Sequence, residues 1–216
     1  MCLFFFKTIF KNYSNSKFKM KKLFSLALTL SLSILVFAQT ETVYPTGLKV
    51  GDKAPNFKMA DQNGKSVQLN KLLKQGPVVL VFYRGEWCSY CNKQISKLSD
   101  SLGLVKAKGA SVVTVTMETV ENVKKTIEKT KADFPVLADR KQKISKEYKV
   151  AFAVNDAMNT QYKKYGIDIP KSNGKNGASL PVPATYIIGT DGKIKWVYFN
   201  TDFRQRPSIQ EIIDNI

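Results

Sequence analysis

The chain has 216 residues, 44% of them hydrophobic, and a formal net charge of +17 with no histidine. That length and apolar content suit one well-buried domain with modest additions and exclude a disordered or fibrous chain. Three cysteines are too few for a disulfide scaffold.

The first elements read as a targeting segment. Lys21-Lys22 precedes an apolar run from Leu23 to Phe37, which ends in Val36-Phe37-Ala38 before Gln39. This is the pattern of a charged n-region, an h-region and a small-residue cleavage site, with cleavage expected after Ala38. The alternative is a transmembrane anchor, but about 15 apolar residues fall short of the roughly 20 needed to span a bilayer. Residues 1–38 are therefore expected to be an N-terminal extension and signal peptide, with residues 1–19 an upstream extension, and the mature protein to be periplasmic or secreted without a membrane anchor. Removing residues 1–38 takes away six lysines and no acid, leaving +11. The remaining lysines are spread between apolar residues, as on any solvated surface, so nucleic acid is not the expected partner.

Residues 39–46 read as a flexible lead, and the domain is expected over 47–216. Asn63-Gly64 between two short runs signals a hairpin between Phe57 and Leu69, and Asn70 to Gln75 one helical turn. Val78-Val79-Leu80-Val81-Phe82-Tyr83 is a continuous apolar run, the pattern of a strand buried on both faces. After Arg84-Gly85, Cys91, Ile95, Leu98 and Leu102 fall on one helical face. Cys91 is thereby turned to the core, and Cys88, one turn earlier, to the helix start and solvent. Ser111 to Met117 reads as a second buried strand, followed by a helix carrying Val120, Val123 and Ile127 on one face. Phe134 to Leu137 reads as a strand end and Lys141 to Lys149 as a helix with Ile144 and Tyr148 inward. Residues 155–180 break the alternation and read as an insertion, either a lid or substrate wall or a surface decoration. Asp191-Gly192 turns a hairpin between Tyr186 and Phe199, and Ser208-Ile209-Gln210-Glu211 has capping-box spacing for a last helix.

The pair Cys88-Ser89-Tyr90-Cys91 carries the chemistry, because helix-start N–H groups and the positive helix end stabilise a thiolate. Cys88 is assigned as nucleophile and Cys91 as the cysteine that resolves a mixed disulfide. Rival readings lack ligands. A structural zinc site needs four, haem attachment needs histidine where Asn92 stands, and a structural bridge would close a loop too small to remove much denatured-state entropy. Among neighbours, Arg84 could lower a thiol pKa or be a solvated strand-end residue. Trp87 could shield the pair and offer a docking surface or simply pack. Glu86 and Glu118 could relay a proton or be exposed surface carboxylates.

Tyr83-Arg84-Gly85-Glu86-Trp87-Cys88-Ser89-Tyr90-Cys91-Asn92 resembles the active-site segment of peroxiredoxin-like proteins of the alkyl hydroperoxide reductase/thiol-specific antioxidant (AhpC/TSA) family. Gly51 to Phe57, Glu118 to Asn122 with Phe134 to Asp139, Pro181 to Tyr186 and Asp202 to Pro207 extend that resemblance over residues 47–216. It implies an α/β thioredoxin-like fold, a central mixed sheet flanked by helices, with an N-terminal hairpin and the insertion 155–180 ahead of a strand begun by Pro183. It also implies that Pro183 is a cis-proline facing the cysteines. No cofactor is implied. The implied partners are a disulfide-bearing protein or hydroperoxide as substrate, and a thiol electron donor.

One departure matters. The family's P-x-x-x-T-x-x-C pattern, set with its cysteine on Cys91, places Arg84 at the proline and Cys88 at the threonine, and the family's strand-start arginine falls at Pro183. Loss of that pocket favours dithiol–disulfide exchange, with thiol-dependent peroxide reduction as the alternative. A binding protein holding Cu(I) between two thiolates is a remoter reading, since such folds usually add a histidine. Arg204 and Arg206 belong to the resemblance without a role that residue chemistry supplies.

Overall fold

The structure, a computed structural model, describes residues 42–216. The signal-peptide and cleavage expectations lie outside the described residues.

A hairpin of β1 (Lys58–Ala60) and β2 (Ser66–Gln68) opens the described fold, in register Lys58 to Gln68. Asn63-Gly64 sits in its turn, where Gly64 takes a positive φ of 80° that a side chain would resist. A short helix α1 (Leu69–Leu72) leads to β3 (Val78–Phe82), every residue of which is buried. Its residues alternate between two cores. Val78, Leu80 and Phe82 meet Tyr148 and Tyr186 on one face, and Val79, Val81 and Tyr83 meet Cys91, Ile95 and Leu98 on the other.

The chain continues through α2 (Ser89–Asp100), α3 (Leu102–Ala107), β4 (Ser111–Thr116), α4 (Val120–Thr130), β5 (Val136–Ala138) and α5 (Lys143–Glu147). The single helix expected through Leu102 is thus two, broken at Ser101. The insertion lies between β6 (Ala151–Ala153) and β7 (Ser179–Pro181), and contains α6 (Asp156–Lys164) and α7 (Ile169–Asn173). β6 and β7 pair antiparallel, and a small core of Val154, Ile169 and Leu180 fills the space behind them. The chain ends with β8 (Ala184–Ile188), β9 (Ile194–Phe199) and α8 (Ile209–Asp214). Ser208 caps α8, its hydroxyl accepting the Glu211 N–H at 3.0 Å. The central sheet has the order β5-β4-β3-β8-β9, with β3, β4 and β5 parallel and β8 antiparallel to both its neighbours.

Register decides where the site falls. Phe82 pairs with Val115 and with Ala184, so the loop after β3 and the start of β8 share one end of the sheet. Pro183, buried at that end, does not take the expected cis bond: no cis peptide occurs among the described residues. The chain runs extended from β7, with the Val182 N–H bonded to the Val150 carbonyl at 2.8 Å. A trans bond continues that path, and the missing proline N–H at a strand start costs no ladder bond.

Candidate active site

Two hydrogen bonds shape the turn between β3 and α2. The Cys88 N–H reaches the Gly85 carbonyl at 3.0 Å, and the Asn92 side-chain amide reaches the Glu86 carbonyl at 2.8 Å. Cys88 then takes the N-cap position of α2 with extended backbone, and its sulfur accepts the Cys91 N–H at 3.3 Å where serine or aspartate would normally stand. Cys88 and Cys91 form a disulfide across 5.3 Å of Cα separation. Cys91 is fully enclosed, as its helical face implies. Cys88 is 4% exposed rather than open, as a member of the core cluster against which Trp87 packs, yet it lines a cleft of about 600 Å³.

That cleft gathers residues that are distant in sequence. Tyr44 of the lead, Arg84 and Trp87 of the turn, Met158 and Tyr162 of α6, and Phe203 after β9 surround it. The insertion is therefore a wall of the cleft, not a remote decoration. Arg84 is 3% exposed and donates to the Tyr162 hydroxyl, with its guanidinium 3.9 Å from the Phe203 ring centre, 4.9 Å from Trp87 and 5.2 Å from Tyr162. It is not a solvated strand-end residue. Burial lowers its pKa from the ordinary arginine value.

A second cation stands behind the disulfide. Arg206 places Nη2 3.3 Å from Cys91 Sγ, while Nη1 donates to the Phe203 carbonyl and, at 2.6 Å, to that of Gln205. Burial, and then the neighbouring Arg84, bring its pKa down to about 10, so it is a cation at neutral pH. Sequence reasoning flagged Arg206 but gave it no role, since 115 positions separate it from Cys91. Tyr162 and Phe203 were missed for the same reason. Arg204 lies at the rim of the cleft, paired with Asp202.

The two carboxylates part company. Glu86 forms an ion pair with Lys129. Glu118 is not an exposed surface carboxylate but fully buried. Desolvation pushes its pKa up to about 8, even though one oxygen accepts the Glu86 N–H at 2.7 Å. Its other oxygen and the Trp87 indole nitrogen have no hydrogen-bond partner among the described residues. Both press on Gly85, where a Cβ would stand 2.7 Å from the Glu118 oxygen and 2.6 Å from the indole nitrogen. Glycine is required there for space. Neither carboxylate lines the Cys88 cleft. No cluster of three or more cysteine, aspartate or glutamate side chains suited to a metal occurs among the described residues.

A five-stranded mixed sheet flanked by helices, with a Cys-x-x-Cys disulfide capping the helix after its central strand, defines a thioredoxin-like α/β protein. The peroxidoxin BcpB from Mycobacterium tuberculosis shares this fold, with a TM-score of 0.59 and 24% identity, over 78% of this chain and 96% of that one. The chain belongs to the AhpC/TSA family, whose pattern matches residues 50–197. A chloroplastic peroxiredoxin Q from Oryza sativa subsp. japonica is 29% identical over 163 residues, which are 76% of this chain but only 64% of the rice protein. The thiol-disulfide oxidoreductase ResA of Bacillus thuringiensis (strain Al Hakam) is 27% identical over 148 residues, 68% of each chain.

Proposed function

We propose that the protein is an exported thiol–disulfide oxidoreductase that cycles Cys88 and Cys91 between dithiol and disulfide. The observation that carries this reading is the Cys88–Cys91 disulfide at the cap of α2, one sulfur on a cleft and the other against a cation. In the reduced protein the Cys91 N–H and the positive end of the helix favour a thiolate at Cys88. That thiolate attacks a substrate disulfide, one substrate thiolate leaves, and a mixed disulfide forms at Cys88. Cys91 then attacks Cys88 Sγ and expels the second substrate thiolate. The substrate gains two electrons, and the protein reaches its disulfide state. A thiol donor reverses these steps by attacking Cys88, with Cys91 leaving as a thiolate opposite Arg206. Cys91→Ser is expected to accumulate mixed disulfides on non-reducing gels, and Cys88→Ser to turn over nothing and trap nothing. Adducts on the Cys88→Ser protein would reverse the two roles.

Peroxide reduction is the second reading, and Arg206 is the observation that favours it. The arginine expected at the strand start is absent, but Arg206 brings a guanidinium to Cys91 from another part of the chain, and a peroxiredoxin Q is among the relatives.

Export rests on the charged and apolar pattern of residues 21–38. Protein recovered from the native host should begin at Gln39 by mass spectrometry, and an intact N-terminus in the membrane fraction would overturn this.

A further inference from the structure

Arg84 presents a problem that thiol exchange alone does not explain. It is as buried as a core residue. A buried charge is costly unless paired, yet no carboxylate lies within ion-pair distance of it among the described residues. Its one protein acceptor among the described residues is the Tyr162 hydroxyl. The aromatic rings hold the guanidinium plane in place through cation–π contacts, but they neutralise nothing. Arg206 adds a second cation nearby, and Arg204 is already occupied by Asp202. The cleft that holds the reactive sulfur is thus electropositive, with an arginine fork held rigid at its wall.

We infer that the cleft takes a carboxylate-bearing organic disulfide, or the corresponding thiol, whose flat apolar body lies among the aromatic side chains with its carboxylate on Arg84. The inference rests on the thiol-exchange reading and names its substrate class. Three features fit. The volume, about 600 Å³, falls within the range of small-molecule sites and is far below that of a folded partner. The walls include Tyr44, Tyr90, Tyr162, Tyr165 and Phe203, surfaces suited to a planar body. Cys88 and Arg84 line the same cleft, so one molecule can meet both. Arg84 forms no bond to the reacting sulfurs. It orients the substrate and sets specificity, which is the use to which a planar guanidinium is best suited.

The test uses two aromatic disulfides, one anionic and one neutral. 5,5′-Dithiobis(2-nitrobenzoate) carries carboxylates, and 4,4′-dithiodipyridine is neutral. Each is mixed with reduced protein in a stopped-flow instrument, and the ratio of rates is divided by the same ratio for free dithiothreitol. A charge-assisted contact to Arg84 is expected to raise this normalised preference about 10- to 100-fold. The preference should persist in 0.5 M salt, which screens the general attraction of a basic surface. In Arg84→Met it should fall to near one. Because that variant could misfold, the oxidised wild-type protein is also titrated calorimetrically with 4-nitrobenzoate and 4-nitrobenzamide, and only the carboxylate is expected to bind. A normalised preference near one in the wild-type protein, or equal binding of acid and amide, would overturn the inference and leave thiol exchange standing. Failure to react with either disulfide would overturn the exchange reading itself.

Discussion

Replacing Arg206 by methionine removes a guanidinium 3.3 Å from Cys91 Sγ while keeping much of the side-chain volume. A full charge pair at that distance is worth about 5 kcal/mol at an effective dielectric constant of 20. Arg206 is only partly enclosed, so a smaller effect is expected, a rise in the Cys91 thiol pKa of about 1–2 units. The sign follows from the chemistry. Without the cation the Cys91 thiolate is rarer at neutral pH, so attack on the mixed disulfide slows and the pH profile of that step moves to alkaline values by the same amount. Single-turnover mixing with a small disulfide, quenched by acid and read by mass spectrometry, measures the lifetime of the Cys88 adduct between pH 5 and 9. At pH 7 the adduct is expected to live about 10- to 100-fold longer in Arg206→Met, and Arg206→Lys to recover part of the difference. Because the disulfide no longer gains from a stabilised thiolate on opening, the reduction potential should become more negative by roughly 30–60 mV. Arg206 also bonds the Phe203 and Gln205 carbonyls, so a purely structural role would lower stability and leave the pH profile in place. An unshifted profile with an unchanged potential would refute the reasoning.

Two further outcomes test other parts of the site. The Glu118 carboxyl titrates near 4.5 when unfolded and about 8 when folded, so between these values the folded state holds the extra proton and stability falls as pH rises, levelling off above 8. The loss is on the order of a few kcal/mol, and urea midpoints at pH 5 and pH 9 should differ less in Glu118→Gln than in the wild-type protein. Parallel pH dependence in the two proteins would place the titration elsewhere. Hydrogen peroxide should oxidise the reduced protein much more slowly than it oxidises dedicated peroxiredoxins, since each missing transition-state donor costs about 10²–10³ in rate, while a small disulfide should exchange readily. Trp87 fluorescence in a Trp196→Phe background follows both reactions, and fast, saturable oxidation by micromolar peroxide would reverse the ranking.

What the chain determined locally was legible in the sequence. The apolar run Val78–Phe82, the Asn63-Gly64 and Asp191-Gly192 turns, and the helical spacing of Cys91, Ile95 and Leu98 are local signals, each carried by the residues of its own strand, turn or helix. The Cys-x-x-Cys pair was legible for the same reason, as both sulfurs belong to one helix start. Other features needed the tertiary structure, because they depend on residues meeting across long loops. Strands β6 and β7, three residues each and pairing 26 to 30 positions apart, have too little pattern to announce themselves. That Cys88 lines a cleft walled by Trp87 and the insertion depends on a placement no periodicity encodes. The trans bond at Pro183 follows from the extended path out of β7. Most of all, the electrostatics of the site came from afar: Tyr162 stands 78 residues from Arg84, and Arg206 115 from Cys91. A charge acts through space with a strength set by distance and burial, and neither is written in the order of the residues.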